Sequence, residues 1–93
     1  LEQSGRTTVT LHDEIAFLQN YLELEALRFD HAFSFRVEAA SDVDPYAVEV
    51  PILLVQPYVE NAIVHGLAGI PSGGELSVTF TNNGNHTVCT ILD

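Results

Sequence analysis

The sequence holds one pair of side chains whose spacing suits chemistry on a nucleotide, Asn61 and His65. Residues four apart on an α-helix are offset by only about 40° around the axis, so both would lie on the same side, one turn apart. An amide oxygen is a ligand that Mg²⁺ accepts, and an imidazole one turn further on can donate to a phosphate oxygen. The same spacing also fits a plain helix with solvated polar side chains. The residues alone leave both interpretations open.

The element that would position this pair is a predicted helix over 52–67. Pro51 suits its first turn, because proline lacks only an N–H that would be unpaired there. Pro57 removes one backbone hydrogen bond, so the helix is either kinked near Leu53 or begins nearer Pro57. Its predicted apolar face consists of Val55, Val59, Ala62, Ile63, Gly66 and Leu67. We expect the opposite, polar side to face a groove rather than the sheet.

A longer first helix is predicted to begin at Thr10, which is followed three residues later by Asp13 in the pattern of a capping box. Its apolar stripe is formed by Ile15, Leu18, Leu22, Ala26 and Phe29, and is widened by Phe17, Tyr21 and Leu24. Acidic residues such as Glu14 and Glu23 are expected to lie off this stripe. The helix should therefore pack one broad face on the rest of the domain.

Period-two alternation predicts strands elsewhere in the chain. Apolar and polar residues alternate over 33–39, the pattern of a half-buried strand, and 48–50 is a second short extended piece. Asn83-Gly84 predicts a hairpin between strands over 75–81 and 87–92. The order along the chain is therefore helix, strand, helix, hairpin.

Composition excludes several classes of partner. Thirteen acidic residues face three basic ones, for a net charge of −10. A nucleic-acid groove or an anionic membrane surface needs a basic footprint, so we expect neither as a partner. The longest apolar run, 51–55, is too short to cross a bilayer, so we expect no membrane contact by this segment. A lone Cys89 favours a reducing, cytoplasmic setting, and in a strand it reads as a small core residue.

Four segments of the sequence resemble the LytS-type sensor histidine kinases. Val50-Pro51 and the run 54–67, Leu-Val-Gln-Pro-Tyr-Val-Glu-Asn-Ala-Ile-Val-His-Gly-Leu, resemble the N box of that family. Upstream, 11–29 resembles the helix that joins the dimerisation helices to the ATP-binding domain. Downstream, Gly73-Gly74-Glu75-Leu76 resembles the turn that opens the next strand, and Ile91-Leu92-Asp93 resembles the strand that leads into an Asp-x-Gly-x-Gly box.

The resemblance covers residues 8–93 and implies a fold. That fold is α/β (α+β), a two-layer sandwich with helices on one face of a mixed sheet, part of the Bergerat-type domain that histidine kinases share with gyrase, Hsp90 and MutL-type ATPases. Residues 1–30 would be the end of a linker and the first helix, and residues 31–93 the N-terminal part of the ATP-binding domain. The domain would be cytoplasmic, in a homodimeric parent protein anchored in the cell membrane.

The same resemblance implies site residues and the cofactors ATP and Mg²⁺. Asn61 would bind Mg²⁺ and so help to bind ATP, and Glu60 beside it would help to order metal or water in a catalytic role. His65 would lie near the phosphates, with both a catalytic and a nucleotide-binding role. Asp93 would read the adenine amino group.

The implied reaction is transfer of the γ-phosphoryl group from Mg-ATP to a histidine and then to an aspartate of a response regulator. ATP, the response regulator and the dimerisation helices are the implied partners. The phosphoacceptor histidine of the family lies in a His-Phe-Leu-Phe-Asn-like word, and none of His12, His31 or His86 has that context. We therefore expect these 93 residues alone to be inactive.

Two alternatives stay open. A hydrolytic ATPase of the same fold would carry a Glu one turn before the Asn as the base for water, but Pro57 stands there and has no basic group. A non-catalytic interaction module would use its amphipathic first helix to bind a partner helix.

Overall fold

The computed structural model describes residues 7–30, 33–67 and 73–92 of the chain. The elements, in chain order, are β1 (Thr8–Thr10), α1 (Leu11–Arg28), β2 (Phe33–Ala39), β3 (Glu49–Pro51), α2 (Gln56–Ala62), a π-helical turn (Ile63–Leu67), β4 (Gly74–Asn83) and β5 (His86–Leu92). The predicted order of helix, strand, helix and hairpin is confirmed, and the structure adds β1 to it.

The main sheet has three strands in the order β2-β4-β5. The central strand, β4, runs parallel to β2 and antiparallel to β5, so the sheet is mixed. One face of β4 is buried through Leu76, Val78 and Phe80, while Glu75 on the other face is exposed. Both helices contribute to the same hydrophobic core as this buried face. The predicted α+β fold, with helices on one face of a mixed sheet, is confirmed.

The start of α1 follows its predicted cap. The hydroxyl oxygen of Thr10 accepts a hydrogen bond from the backbone N–H of Asp13 at 3.2 Å, which satisfies one of the free donors of the first turn. The buried side of the helix is formed by Leu11, Glu14, Leu18, Leu22 and Ala26. The stripe is narrower than predicted, because Phe17 and Leu24 are exposed.

The expectation that Glu14 lies off the apolar stripe is wrong. Glu14 lies three residues after Leu11 and four before Leu18, both fully buried, so its position is on the buried stripe. Only 3% of its surface is exposed. The sequence argument assigned the side chain by its charge rather than by its place on the helix.

A small second sheet leads into the N-terminal end of α1 and holds it in place. β1 pairs antiparallel with β3, with Thr8 opposite Pro51. The backbone N–H of Leu11 then donates to the carbonyl of Val48 at 2.8 Å. Pro51 therefore ends a strand, and its predicted place in the first turn of a helix is wrong. The predicted extended piece over 48–50 corresponds to β3.

The hairpin forms where the Asn-Gly pair predicts it. Asn83 pairs with His86, so the two-residue loop is Gly84-Asn85. Gly84 has φ 64°, a left-handed backbone conformation that glycine adopts at little cost. A positive φ at the first loop residue is what a type II′ turn requires.

Among the described residues, β5 is an edge strand of the sheet. Its side chains are largely exposed, including Val88 and Leu92. Cys89 is exposed as well, so the prediction of a core cysteine is wrong. It pairs with the buried Phe80 on the inner face, but at the edge of the sheet it lacks the cover that the central strand receives.

We expect the 93-residue chain to self-associate through this edge, because a sheet edge presents unpaired backbone groups to any second chain. Light scattering over a concentration series should show a mass that rises above the monomer. A strictly monomeric mass over the whole series would contradict this expectation.

Candidate functional site

The helix that carries the candidate site is shorter at its start than predicted. α2 begins at Gln56, with Pro57 in its first turn. Residues 52–55 form a turn and a bend instead, and Leu53 has φ 60°. The proline ring would clash with the carbonyl of residue 53 in a continuous helix, so the helix cannot extend further back. A start near Pro57, one of the two predicted geometries, is confirmed, and a helix from residue 52 is wrong.

The side chains of this helix are divided as the sequence predicts. Val55, Val59 and Ile63 are buried in the core. Asn61 and His65 are exposed, on the side that turns away from these three. The expectation that the polar side does not pack on the sheet is therefore confirmed for both residues. Their roles toward metal and phosphate stay predictions.

The backbone changes its winding between the two candidate residues. Asn61 belongs to α2, whereas His65 lies in the π-helical turn Ile63–Leu67. A π-helical turn is wider than an α-helical one because its hydrogen bonds span five residues, so the regular α-helical offset does not apply to this pair. Such turns occur frequently at functional sites. The backbone geometry therefore sets these two residues apart from an ordinary surface helix.

Glu60 has a partner on its own helix and acts electrostatically on α1. Its carboxylate accepts a hydrogen bond from the side-chain amide of Gln56 at 2.9 Å, and its side chain is exposed. Its negative charge also acts on the phenol of Tyr21 in α1, so the two groups lie near each other. The structure thus gives Glu60 two protein neighbours, and its predicted role in ordering metal or water stays a prediction.

We expect Tyr21 to titrate far above an ordinary tyrosine. Burial, followed by the charges of Glu25 and Glu60, raises its pKa to about 12. Because the unfolded chain releases this proton first, the contribution of Tyr21 to stability is complete below pH 10 and falls between pH 10 and 12. An absorbance titration of the protein, compared with the Tyr21→Phe variant, should isolate this group. Glu60→Gln should lower its pKa, and ionisation of Tyr21 near pH 10 would contradict the assignment.

The donors around Asn61 suit a metal ion that arrives with a nucleotide. In the described part of the chain, no group of three or more His, Cys, Asp or Glu side chains could hold a metal ion. Asn61 offers one exposed amide oxygen, and the carboxylate of Glu60 lies on the neighbouring residue. Protein sites for Mg²⁺ bound to phosphates use only one or two protein ligands, and the phosphates and waters complete the shell. The residues therefore fit Mg²⁺ carried by ATP, and they do not form a resident metal site.

The remaining candidate residues do not join this site. His12 is exposed and its ring stacks on Tyr46 with 4.4 Å between ring centroids. His86 is exposed at the end of the hairpin. His31 and Asp93 lie outside the described residues.

One residue near the start of α2 escaped the sequence argument. Burial raises the pKa of the Glu14 carboxyl, and a hydrogen bond from the backbone of Val55 lowers it in part. The other carboxyl oxygen, Oε2, is buried without a hydrogen-bond partner in the structure. The only sequence signal for it was its helical spacing from Leu11 and Leu18.

A family model and individual relatives both indicate the histidine kinases. A family model described as histidine kinase matches residues 1–33. The sensor protein LytS of Oceanobacillus iheyensis is 36% identical over 95 residues, which covers 100% of this chain and 16% of that protein. This chain belongs to the LytS-type sensor histidine kinases. The predicted membership in this family is thereby confirmed.

Two further relatives are also named sensor histidine kinases. The sensor histidine kinase BtsS of Escherichia coli K12 is 31% identical over 85 residues, covering 91% of this chain and 15% of that protein. The sensor histidine kinase/phosphatase LytS of Staphylococcus aureus is 34% identical over 80 residues, covering 85% and 13%. The chain thus spans about one sixth of the length of the curated relatives it matches. In the described part of this kinase segment, neither helix is long and apolar enough to cross a membrane.

Proposed function

We propose that this chain forms the N-terminal part of the ATP-binding domain of a two-component sensor histidine kinase. The observation that carries the proposal is the division of α2 and its π-helical turn. Val59 and Ile63 hold one side in the core, and Asn61 and His65 are left exposed on the other. Family membership supports the same function, because the relatives are named sensor histidine kinases.

In this proposal each exposed residue has one task. The amide oxygen of Asn61 holds the Mg²⁺ that arrives with ATP, and the ion, once bound, neutralises charge on the phosphates. The imidazole of His65 donates a hydrogen bond to a phosphate oxygen. Glu60 orders water beside the metal ligand. Positioning and charge neutralisation supply most of the catalysis in phosphoryl transfer. A few binding side chains are therefore enough for the part of the site that α2 and its π-helical turn form.

The wider context is part of the proposal. The phosphoryl group passes to a histidine on the dimerisation helices of a homodimer and then to a response regulator. Residues 1–30 connect those helices to the ATP-binding domain, which begins at about residue 31 and lies on the cytoplasmic side of a membrane-anchored parent. With a net charge of −10, the domain repels a nucleotide of about −4, so the metal ion is needed for binding.

One observation favours a second function for α1. Leu24 and Leu27 are 67% and 63% exposed on its C-terminal half. Two neighbouring exposed leucines on one helix suit contact with a partner helix. The hydrolytic ATPase loses support, because Pro57 occupies the position of its base.

Calorimetry with Mg-ATP on residues 1–93 and on the full-length protein tests the proposed function. We expect the 93 residues alone to bind more weakly than about 1 mM, which is less than about 4 kcal/mol of binding free energy, because α2 supplies only one wall of a pocket. The full-length protein should bind measurably more tightly and transfer its γ-phosphoryl group to a histidine. Micromolar binding by the 93 residues would contradict the first expectation. A full-length protein that does not bind Mg-ATP would contradict the proposed function.

A further inference from the structure

Among the residues that the structure describes, the core contains one acidic side chain. Glu14 lies on the buried stripe of α1 with 3% of its surface exposed, and its Oε2 atom has no hydrogen-bond partner in the structure. Placing a carboxyl group in a core is unfavourable unless its polar atoms are paired. A buried polar group that is only partly satisfied in a native protein calls for an explanation beyond packing.

The carboxyl lies where three parts of the fold meet. The backbone of Val55, directly before α2, makes a hydrogen bond to it. Burial raises the pKa of the Cys89 thiol in β5, and the nearby charge of Glu14 raises it further. Glu14 is thus in contact with the start of α2 and near the edge strand, although it belongs to α1.

Local features set where α2 begins but not how its start is held against α1. Val55 is the residue before its first turn, and no side chain caps the helix there. Its C=O accepts hydrogen bonds from the backbone N–H groups of Tyr58 and Val59 at 3.0 and 3.2 Å, whereas its own N–H lies ahead of the first turn, where the helix offers no acceptor. The preceding residues 52–54 are exposed, and Leu53 has a left-handed φ of 60°. Pro57 sets the residue at which α2 begins, and a contact from another element is needed to hold that start against α1.

We propose that Glu14 is a positioning residue, whose buried carboxyl holds the backbone N–H of Val55 and thereby fixes the place of α2 and of Asn61. The consequence for the site rests on the proposed function of Asn61. The hydrogen bond ties α1 to the nucleotide-binding helix, so a displacement of α1 moves Asn61 with it. α1 thereby acts on the site through a buried contact, although none of its residues belongs to that site.

The test compares three variants of the full-length kinase. Glu14→Leu removes the acceptor and places an apolar side chain of similar size at this position. Glu14→Gln keeps an oxygen acceptor for Val55, and Glu23→Leu is the matched control, because Glu23 is an exposed acid on the same helix. Amide exchange of the 52–60 segment and the dissociation constant for Mg-ATP are measured on each folded variant.

We expect Glu14→Leu to speed exchange in 52–60 about tenfold and to leave the β4 segment unchanged. It should also weaken Mg-ATP binding about fivefold. Glu14→Gln and Glu23→Leu should stay within about twofold of the parent in both measurements. Combined with Asn61→Ala, Glu14→Leu should give no further loss of affinity, because both changes act through the same ligand.

Two results would overturn the proposal. One is a Glu14→Leu variant with a lower melting temperature but unchanged exchange in 52–60, since Glu14 would then only fill space. The other is an equal rise in exchange for Glu14→Gln, which keeps the acceptor. Should Glu14→Leu not fold, Glu14→Asp decides instead, because its shorter side chain withdraws the carboxyl from Val55. Exchange in 52–60 must then rise, and unchanged exchange would overturn the proposal.

The outcome is separable from that of the proposed function. If Asn61→Ala leaves Mg-ATP affinity unchanged, the function proposed for Asn61 fails. The exchange of 52–60 still decides whether Glu14 holds the start of α2, because that measurement involves no nucleotide.

Discussion

Asn61→Ala in the full-length kinase is expected to lower autophosphorylation by about 100-fold or more. The substitution removes the proposed protein ligand of the nucleotide-bound Mg²⁺, and no neighbouring side chain of the same type can replace it. The fold should be retained, because Asn61 is exposed and makes no core contact. The melting temperature should therefore stay close to that of the parent, with a change in unfolding free energy of less than about 0.5 kcal/mol.

The matched control is Asn20→Ala, which removes an exposed amide from α1 instead of α2. It should leave both autophosphorylation and stability unchanged. Incorporation of label from γ-labelled ATP measures the activity, and thermal unfolding measures stability. An Asn61→Ala kinase that phosphorylates itself at the parent rate would refute the metal-ligand role. A large loss of stability would instead refute the placement of Asn61 outside the core.

Phe80→Ala is expected to remove most of the folding stability of the 93-residue chain. Phe80 is 2% exposed on the central strand of the sheet and belongs to the hydrophobic core to which both helices contribute. Removing a buried phenyl ring costs about 3–5 kcal/mol. A domain of this size has a thin core and lies near the lower end of the usual stability range, about 5 kcal/mol. The loss therefore approaches the whole stability of the domain.

Phe17→Ala provides the control for this substitution, because Phe17 is 42% exposed on α1. It should cost at most about 1 kcal/mol, since its ring keeps much of its contact with water. Circular dichroism during urea unfolding would compare the two variants with the parent chain. A Phe80→Ala midpoint equal to that of Phe17→Ala would show that the core lies elsewhere.

Local features were predictable from the sequence, since their causes lie within a few residues. The cap at Thr10 depends on a hydroxyl and the third N–H after it. The hairpin depends on Gly84 and the alternation on both sides of it. The alternation over 33–39 likewise predicts β2, in which Phe33 and Val37 are buried. In each case the residues that cause the feature lie within one turn or one strand of it.

Features that depend on distant segments were not predictable in the same way. β1 forms only because β3, about 40 residues later, pairs with it. The burial of Glu14 depends on the chain segment that carries Val55 across α1. The exposure of Cys89 depends on its place at the edge of the sheet. None of these follows from periodicity, which reports the face of an element but not what covers that face.

The candidate site lies between these two cases. The sides of α2 follow from helical spacing, so the exposure of Asn61 and His65 was predictable. The start of the helix at Gln56 was undecided, because Pro51 and Pro57 each suit a first turn. No residue pattern predicted the π-helical turn over 63–67. What the site binds was suggested by resemblance rather than by geometry.

The most direct test of the nucleotide site uses Mn²⁺ in place of Mg²⁺, because bound Mn²⁺ broadens the magnetic resonance signals of nearby nuclei. Mn-ATP is added to the full-length kinase with labelled asparagine and histidine, and ATP without metal serves as the control. We predict that the side-chain signals of Asn61 and His65 broaden strongly, while the signals of Asn20 and His12 do not. Broadening that leaves Asn61 and His65 untouched while Mn-ATP is bound would contradict the assignment of this face of the helix to the nucleotide.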